Sequence, residues 1–186
     1  MTKRKSLTQA KVLAVTESLI EEKGLTELTL RDVADALSIR PQSVYNYVTS
    51  LAELLDLVGA EFVNEVTATV VQELVGVSGK EALLVFAHEF RQATRGHAEL
   101  APVLLDLNNR QSPQTHTALN RLYHSVFRPL QLENDDVCAG TTLYRSALFG
   151  FVVQETGGFF ASLTSDEIDQ RFDQVMLLAV ATVVSE

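Results

Sequence analysis

Residues 29–48 read TLRDVADALSIRPQSVYNYV, and the spacing predicts two short helices joined by a tight break. In the first, Leu30, Val33, Ala34 and Leu37 fall at i, i+3, i+4 and i+7, which makes one apolar stripe. The second opens with Pro41, whose missing amide costs nothing at a helix start. Val44 and Val48 point inward at i and i+4. A step of about 100° per residue then places Gln42 and Asn46 on the opposite face, with Ser43 and Tyr45 beside them. A short second helix with few apolar anchors and a polar, aromatic outer face is the build of a helix-turn-helix. The second helix of that motif enters the DNA major groove.

Working outward, the chain has 186 residues, enough for a substantial core in one domain or two small ones. Apolar residues make up 46%, with only 4 Pro and 9 Gly, which argues against disorder and against a turn-rich all-β fold. The single cysteine, Cys138, excludes an internal disulfide framework and suits a reducing cytosol. Residues 1–10 are polar and hold no apolar signal segment. The apolar runs at 147–153 and 176–181 are far shorter than a membrane span. These features predict a cytoplasmic protein with no membrane partner.

The net charge of −9 does not by itself favour a nucleic-acid partner. Its distribution matters more than its sum. Residues 1–60 hold 7 Lys/Arg against 8 Asp/Glu, net −1, whereas residues 61–186 hold 8 against 16, net −8. Exposed charges farther apart than about 8 Å are largely screened at physiological salt, so a distant acidic body leaves the N-terminal end able to dock. Lys3, Arg4 and Lys5 cluster there as an arm that either reaches DNA or is a solvated tail.

Helix-start signals recur throughout. Ser6-x-x-Gln9, Ser50-x-x-Glu53, Ser78-x-x-Glu81 and Thr164-x-x-Glu167 fit the capping box, Thr29-x-x-Asp32 is a weaker version, and Ser112-Pro113 is a further start. Stops are expected at Gly24, at Gly76 and Gly79, and at Gly157-Gly158. The chain thus reads as all-α, with about nine helices near 7–23, 30–37, 41–48, 51–75, 80–95, 100–109, 113–128, 135–156 and 165–184. Helices one to three would form a head (residues 1–50), and the fourth would lead into a helical body (residues 51–186).

The head resembles the DNA-binding domain of the TetR (tetracycline-repressor-like) transcriptional regulators. Members carry a Thr opening the second helix, an Ile/Val/Leu-Ala pair, a Gly-Val turn and a Tyr-x-His-Val type recognition core. Here those places hold Thr29, Val33-Ala34, Ser38-Ile39 and Val44-Tyr45-Asn46-Tyr47-Val48. The match runs without gaps over about residues 8–58. Two positions depart from it. Ser38 replaces the turn glycine, and Leu51 stands where many members have a phosphate-binding Lys. The stretch 145–160 is also similar to a C-terminal subgroup named for its Trp, His and Gly, of which only Gly150 is kept, with Phe149 at the His position.

The resemblance implies that Thr29, Tyr45 and Tyr47 touch phosphates, while Arg31, Arg40, Pro41, Gln42, Ser43 and Asn46 face bases or the groove wall. The chemistry agrees: Gln or Asn pairs bidentately with adenine, and Arg with guanine. In the body, Phe62, Phe86, His88, Phe90, Tyr123, His124, Phe127, Tyr144 and Phe151, with Gln92 and Arg145, have the composition of a ligand-cavity lining or of an ordinary core. Phe149, Val153, Phe172, Val175, Met176, Ala179 and Val183 leave the last two helices apolar over much of their girth, which predicts either a homodimer interface or an internal core. The resemblance implies the interface.

The expected function is therefore a homodimeric repressor of a double-stranded DNA operator, released by a small molecule. A helical small-molecule-binding protein without specific DNA binding is the alternative. No metal-ligand spacing, nucleophile elbow or phosphate-cradling glycine loop is present, so neither an enzyme nor a cofactor is expected.

Overall fold

A computed structural model describes residues 7–104, 112–130 and 139–183. Among the described residues the regular elements are all helical. They are α1 (Gln9–Lys23), α2 (Leu30–Ala36), α3 (Pro41–Val44), α4 (Leu51–Glu73), α5 (Gly79–Gly96), α6 (Ala101–Leu104), α7 (Pro113–Phe127), α8 (Ala139–Thr156) and α9 (Ser165–Val183). Short 3₁₀ turns follow α1 and α7. The all-α reading holds, and the expected order of nine helices is found. Lys3, Arg4, Lys5, Ser6 and Cys138, and the expected helix ends at 105–109 and 135–138, lie outside the described residues.

The caps show which local signals act. Thr29 and Asp32 form a full reciprocal box at the start of α2. Thr164 and Glu167 do the same before α9. Ser50 accepts from the Glu53 amide, but the Glu53 carboxylate reaches past it to the Thr49 amide at 2.6 Å. α1 is capped by Thr8, whose hydroxyl accepts from the Lys11 amide. Ser78 makes no side-chain cap bond, so its sequence pattern is not realised. At α7, Ser112 also makes no side-chain cap. The free amides there are met from outside the segment. Asp56 of α4 accepts from the amides of Gln114 and Thr115 and from the Thr115 hydroxyl, at 2.8–3.1 Å.

α4 is the spine on which the rest is arranged. Its first half packs on α1 through Leu54 and Val58, beside Val12 and Ile20. Farther along, α7 lies against it so closely that a Cβ on Gly59 would fall 2.5 Å from the Thr115 hydroxyl oxygen. α5 closes the other side with Leu83, Phe86, Ala87 and Phe90 buried. α8 and α9 pack on each other and on α5. Burial of these large side chains stabilises the fold by roughly 1.5–3 kcal/mol each.

One ion pair is built into the join of α5, α8 and α9. The Arg91 side chain is 6% exposed and forks onto Glu155, Nε and Nη2 each donating to one carboxylate oxygen at 2.7 Å. Nη2 also meets Asp169 at 2.6 Å, and the guanidinium lies 4.5 Å over the Phe172 ring. Removing Arg91 leaves the nearly buried Glu155 with Arg95 alone, at 3.7 Å, while Asp169 is half exposed. Arg91→Ala is expected to cost about 3–5 kcal/mol of unfolding free energy by urea denaturation, and Arg91→Ala combined with Glu155→Ala less than the sum of the two single changes.

Candidate nucleic-acid interface

The head is built so that its polar face has a rigid back. α1 buries Val12, Thr16, Leu19 and Ile20, α2 buries Val33 and Ala34, and Val44 and Val48 close the small core from the third element. The turn between α2 and α3 is a Schellman closure. The Ile39 amide bonds to the Ala34 carbonyl and the Ser38 amide to the Asp35 carbonyl, each at 3.0 Å. That closure needs a left-handed residue, and Ser38 has φ 54°, the one positive-φ non-glycine among the described residues. The reading that Ser38 occupies a glycine position is correct.

α3 is shorter than expected. It is α-helical over Pro41–Val44, and i→i+3 bonds carry the chain on through Asn46 and Tyr47. Tyr-Asn-Tyr is a weak helix-forming run, and only two valines hold it down, so the helix tightens instead of extending. The outward face survives this change. Arg40, Pro41, Gln42, Tyr45 and Asn46 are exposed, Ser43 is half-buried, and the Tyr45 ring is 57% exposed. Arg31 projects from α2 with Asp35 3.9 Å away. Arg40 has no ion-pair partner among the described residues.

Two residues expected at phosphates also have structural tasks. The Tyr47 hydroxyl donates to the Leu7 carbonyl at 3.0 Å and pins the segment to the start of α1. The Thr29 hydroxyl donates to Asp32. Asp32 also receives Lys23 at 2.9 Å. The bonds from Thr29, then Lys23, hold the Asp32 carboxyl down at about 2. Leu51, at the lysine position, is half-buried against the core. Beside it Glu53 takes the Thr49 hydroxyl and amide, which lower its carboxyl below the usual range.

In the body, Phe86, Phe90, Tyr123, Phe127 and Tyr144 meet in one aromatic cluster, joined by Phe149. The other residues expected to line a cavity with them do not join it. His88 and His124 are exposed, His88 pairing with Asp173 at 3.3 Å. Phe151 packs with Phe160 and Phe172 on another side. Phe62 stands edge-on to His97, beside Gln92, in a surface recess of about 240 Å³.

The expected interface residues divide as well. Phe172, Met176, Ala179 and Val183 are buried within the protomer, and Phe149 and Val175 are half-buried. Of the seven, Val153 alone is exposed, at 47%. An apolar stripe round most of a helix does not tell which part faces its own body. The outer stripe runs through Leu143, Val153, Phe159 and Leu178, with Phe159 74% and Leu178 73% exposed. A groove of about 390 Å³ between Ala147, Gly150, Phe159, Arg171 and Val175 continues it.

Sequence reasoning missed the groups whose partners are remote in the chain. Arg91–Glu155, Asp56–Thr115 and His97–Glu21 are 64, 59 and 76 residues apart, and no local pattern marks them. The last pair, at 2.6 Å, links the end of α5 to α1 of the head. Glu17 completes a group whose donor atoms lie within 4.8 Å of one another. Burial, then the crowding of Glu65, raises the Glu17 carboxyl.

No family model matches the sequence, and no curated protein does. Solved structures do match. BioQ of Mycobacterium smegmatis is 20% identical with a TM-score of 0.72, covering 95% of this chain and 98% of its own. ActR of Streptomyces coelicolor, described as a TetR family protein in complex with actinorhodin, is 18% identical at 0.68, over 96% and 97%. FadR of Bacillus subtilis, in complex with stearoyl-CoA, is 15% identical at 0.67, over 95% and 100%. The chain has the TetR fold. Within that fold the stretch 29–48 is the helix-turn-helix, and no described helix is long and apolar enough to cross a membrane.

Two outcomes test this account of the head. Ser38→Gly relieves a left-handed Cβ and should raise stability by about 0.5–1 kcal/mol in thermal denaturation. Asp32 is held below its ordinary 3.8 in the folded chain, so its contribution is complete above that value and is lost as pH falls towards 2. The stability gap between wild type and Asp32→Asn, measured by urea titration, should be constant above about pH 5 and close in the acid range.

Proposed function

We propose that this protein is a homodimeric, ligand-responsive transcriptional regulator of the TetR family, acting as a repressor at a pseudo-palindromic DNA operator in the cytoplasm. The observation that carries this reading is the exposed row Arg40, Gln42, Tyr45 and Asn46, set on a rigid three-helix head. The full-length likeness to the TetR fold supports it. Residues 1–50 form the reading head, and residues 51–186 the ligand-binding and dimerisation body. The chemistry is non-enzymatic recognition.

Gln42 and Asn46 supply bidentate pairs for adenine, and Arg31 and Arg40 for guanine, while Pro41 and Ser43 contact the groove wall. Tyr45 gives its hydroxyl to phosphate, and Thr29 and Tyr47 position the backbone. The dimer forms through the outer face of α8 and α9, using Leu143, Val153, Phe159 and Leu178. Gly150 keeps that face low, and it is the residue on which likeness to the Trp-His-Gly subgroup rests. Two heads would then enter successive major grooves about 34–36 Å apart. A ligand that favours a different head spacing by about 2.7 kcal/mol lowers operator affinity a hundredfold.

A second reading, a ligand-binding protein without specific DNA recognition, is favoured by one place. At the start of α4 the lysine is Leu51 and the neighbouring carboxylate is Glu53. Fluorescence anisotropy on an operator selected from genomic DNA separates the two readings. Gln42→Ala and Asn46→Ala should each weaken specific binding by about 1–3 kcal/mol and leave non-specific binding unchanged. Leu51→Lys should tighten binding and steepen the salt slope by about one phosphate contact. A chain that selects no sequence supports the second reading.

A further inference from the structure

We propose that Glu17 and Glu21 of α1 and His97 at the end of α5 form a binding site for a divalent transition-metal ion such as zinc, and that the ion ties the head to the body. The site goes beyond the proposed function and rests on it only for its bearing on operator binding.

Folding assembles the trio. Glu17 and Glu21 stand four residues apart on α1, so their carboxylates leave the same face of the helix. His97 is the C-cap of α5 and comes to them from 76 residues beyond Glu21. The three donor atoms lie within 4.8 Å of one another, and no other such group of His, Cys, Asp and Glu occurs among the described residues. The His97 Nδ1 atom sits 2.6 Å from Glu21 Oε1, and Phe62 meets the imidazole edge-on with the ring centres 5.1 Å apart. An ion bound at about 2.0–2.2 Å from each donor sets the donors roughly 3–4 Å from one another. Flexible glutamate side chains reach that arrangement by small rotations.

Charge gives independent support. Glu61 and Glu65 of α4 share a recess of about 80 Å³ with Glu17 and crowd it with like charge. Among the described residues no Lys or Arg pairs with Glu17, Glu21, Glu61 or Glu65. Other acids are neutralised: Arg91 holds Glu155, Arg95 holds Asp169, and Lys23 holds Asp32. Carboxylates gathered at a half-buried junction repel one another, and a bound dication reverses that balance.

The donor set selects the ion. Two carboxylates and one neutral imidazole balance a divalent charge. The lack of a thiolate disfavours the cuprous ion, and the imidazole disfavours magnesium and calcium. Three protein ligands leave a position for water, and a recess of about 240 Å³ beside His97 opens to solvent. With two ligands on α1 and the third on α5, the ion replaces one exposed hydrogen bond by a three-point tie.

The test is calorimetric titration of the full chain with zinc chloride in metal-free buffer. Wild type should bind a single zinc per chain saturably, and about a tenfold excess of magnesium should not displace it. Glu17→Gln, Glu21→Gln and His97→Gln should each weaken binding about tenfold or more, whereas His124→Gln, an exposed histidine elsewhere, should change it less than about twofold. On wild type alone, zinc should slow amide hydrogen exchange both in α1 and in the last turn of α5. No saturable zinc binding, unchanged affinity in the three variants, equal loss in His124→Gln, or exchange in α1 that ignores zinc overturns the proposal. Zinc binding that needs Glu17, Glu21 and His97 in a chain that selects no DNA sequence supports the site and removes only its bearing on an operator.

Discussion

The carboxylate of Asp56 is almost fully buried in α4, and it closes the first turn of α7 by accepting two backbone amides and a hydroxyl. A charge in that position is tolerable only because each of its partners is fixed. It makes α7 a continuation of α4's geometry, and Gly59 one turn later lets the two helices touch. α4 begins directly after the stretch 29–48, so under the proposed function it would couple α7 to the head. His97–Glu21 gives a second, more exposed connection between body and α1. Arg91 ties α5, α8 and α9 together, so under the proposed function α4 is the element that would carry a ligand's effect.

How much of this is legible in the sequence depends on the range of the interaction. The helix-turn-helix is legible because its core residues repeat at 3.6 and its caps act within four residues. Thr29–Asp32 and Thr164–Glu167 form as their spacing implies, and Ser38 adopts the left-handed turn. Ser78 and Ser112 fail as caps, the latter because a residue 58 positions away from Gln114 does the work. Short-range pattern cannot report a partner supplied by folding.

The body shows a different limit. Residues such as Phe172 and Met176 are apolar enough for either a core or an interface, and hydrophobicity alone does not choose. Packing chooses: they face α5 and α8, while Leu143 and Leu178 remain outside. The aromatic residues likewise split into separate groups once helix directions are fixed.

The central claim is that the row Arg40, Gln42, Tyr45 and Asn46 reads duplex DNA as part of a two-fold dimer. A nuclease footprint of the full chain on the DNA flanking its own gene tests that most directly. The account expects one protected region with two related half-sites, centred about one helical turn apart or a multiple of it. Uniform cleavage by the ligand-free chain, up to protein concentrations that coat non-specific DNA, would contradict it.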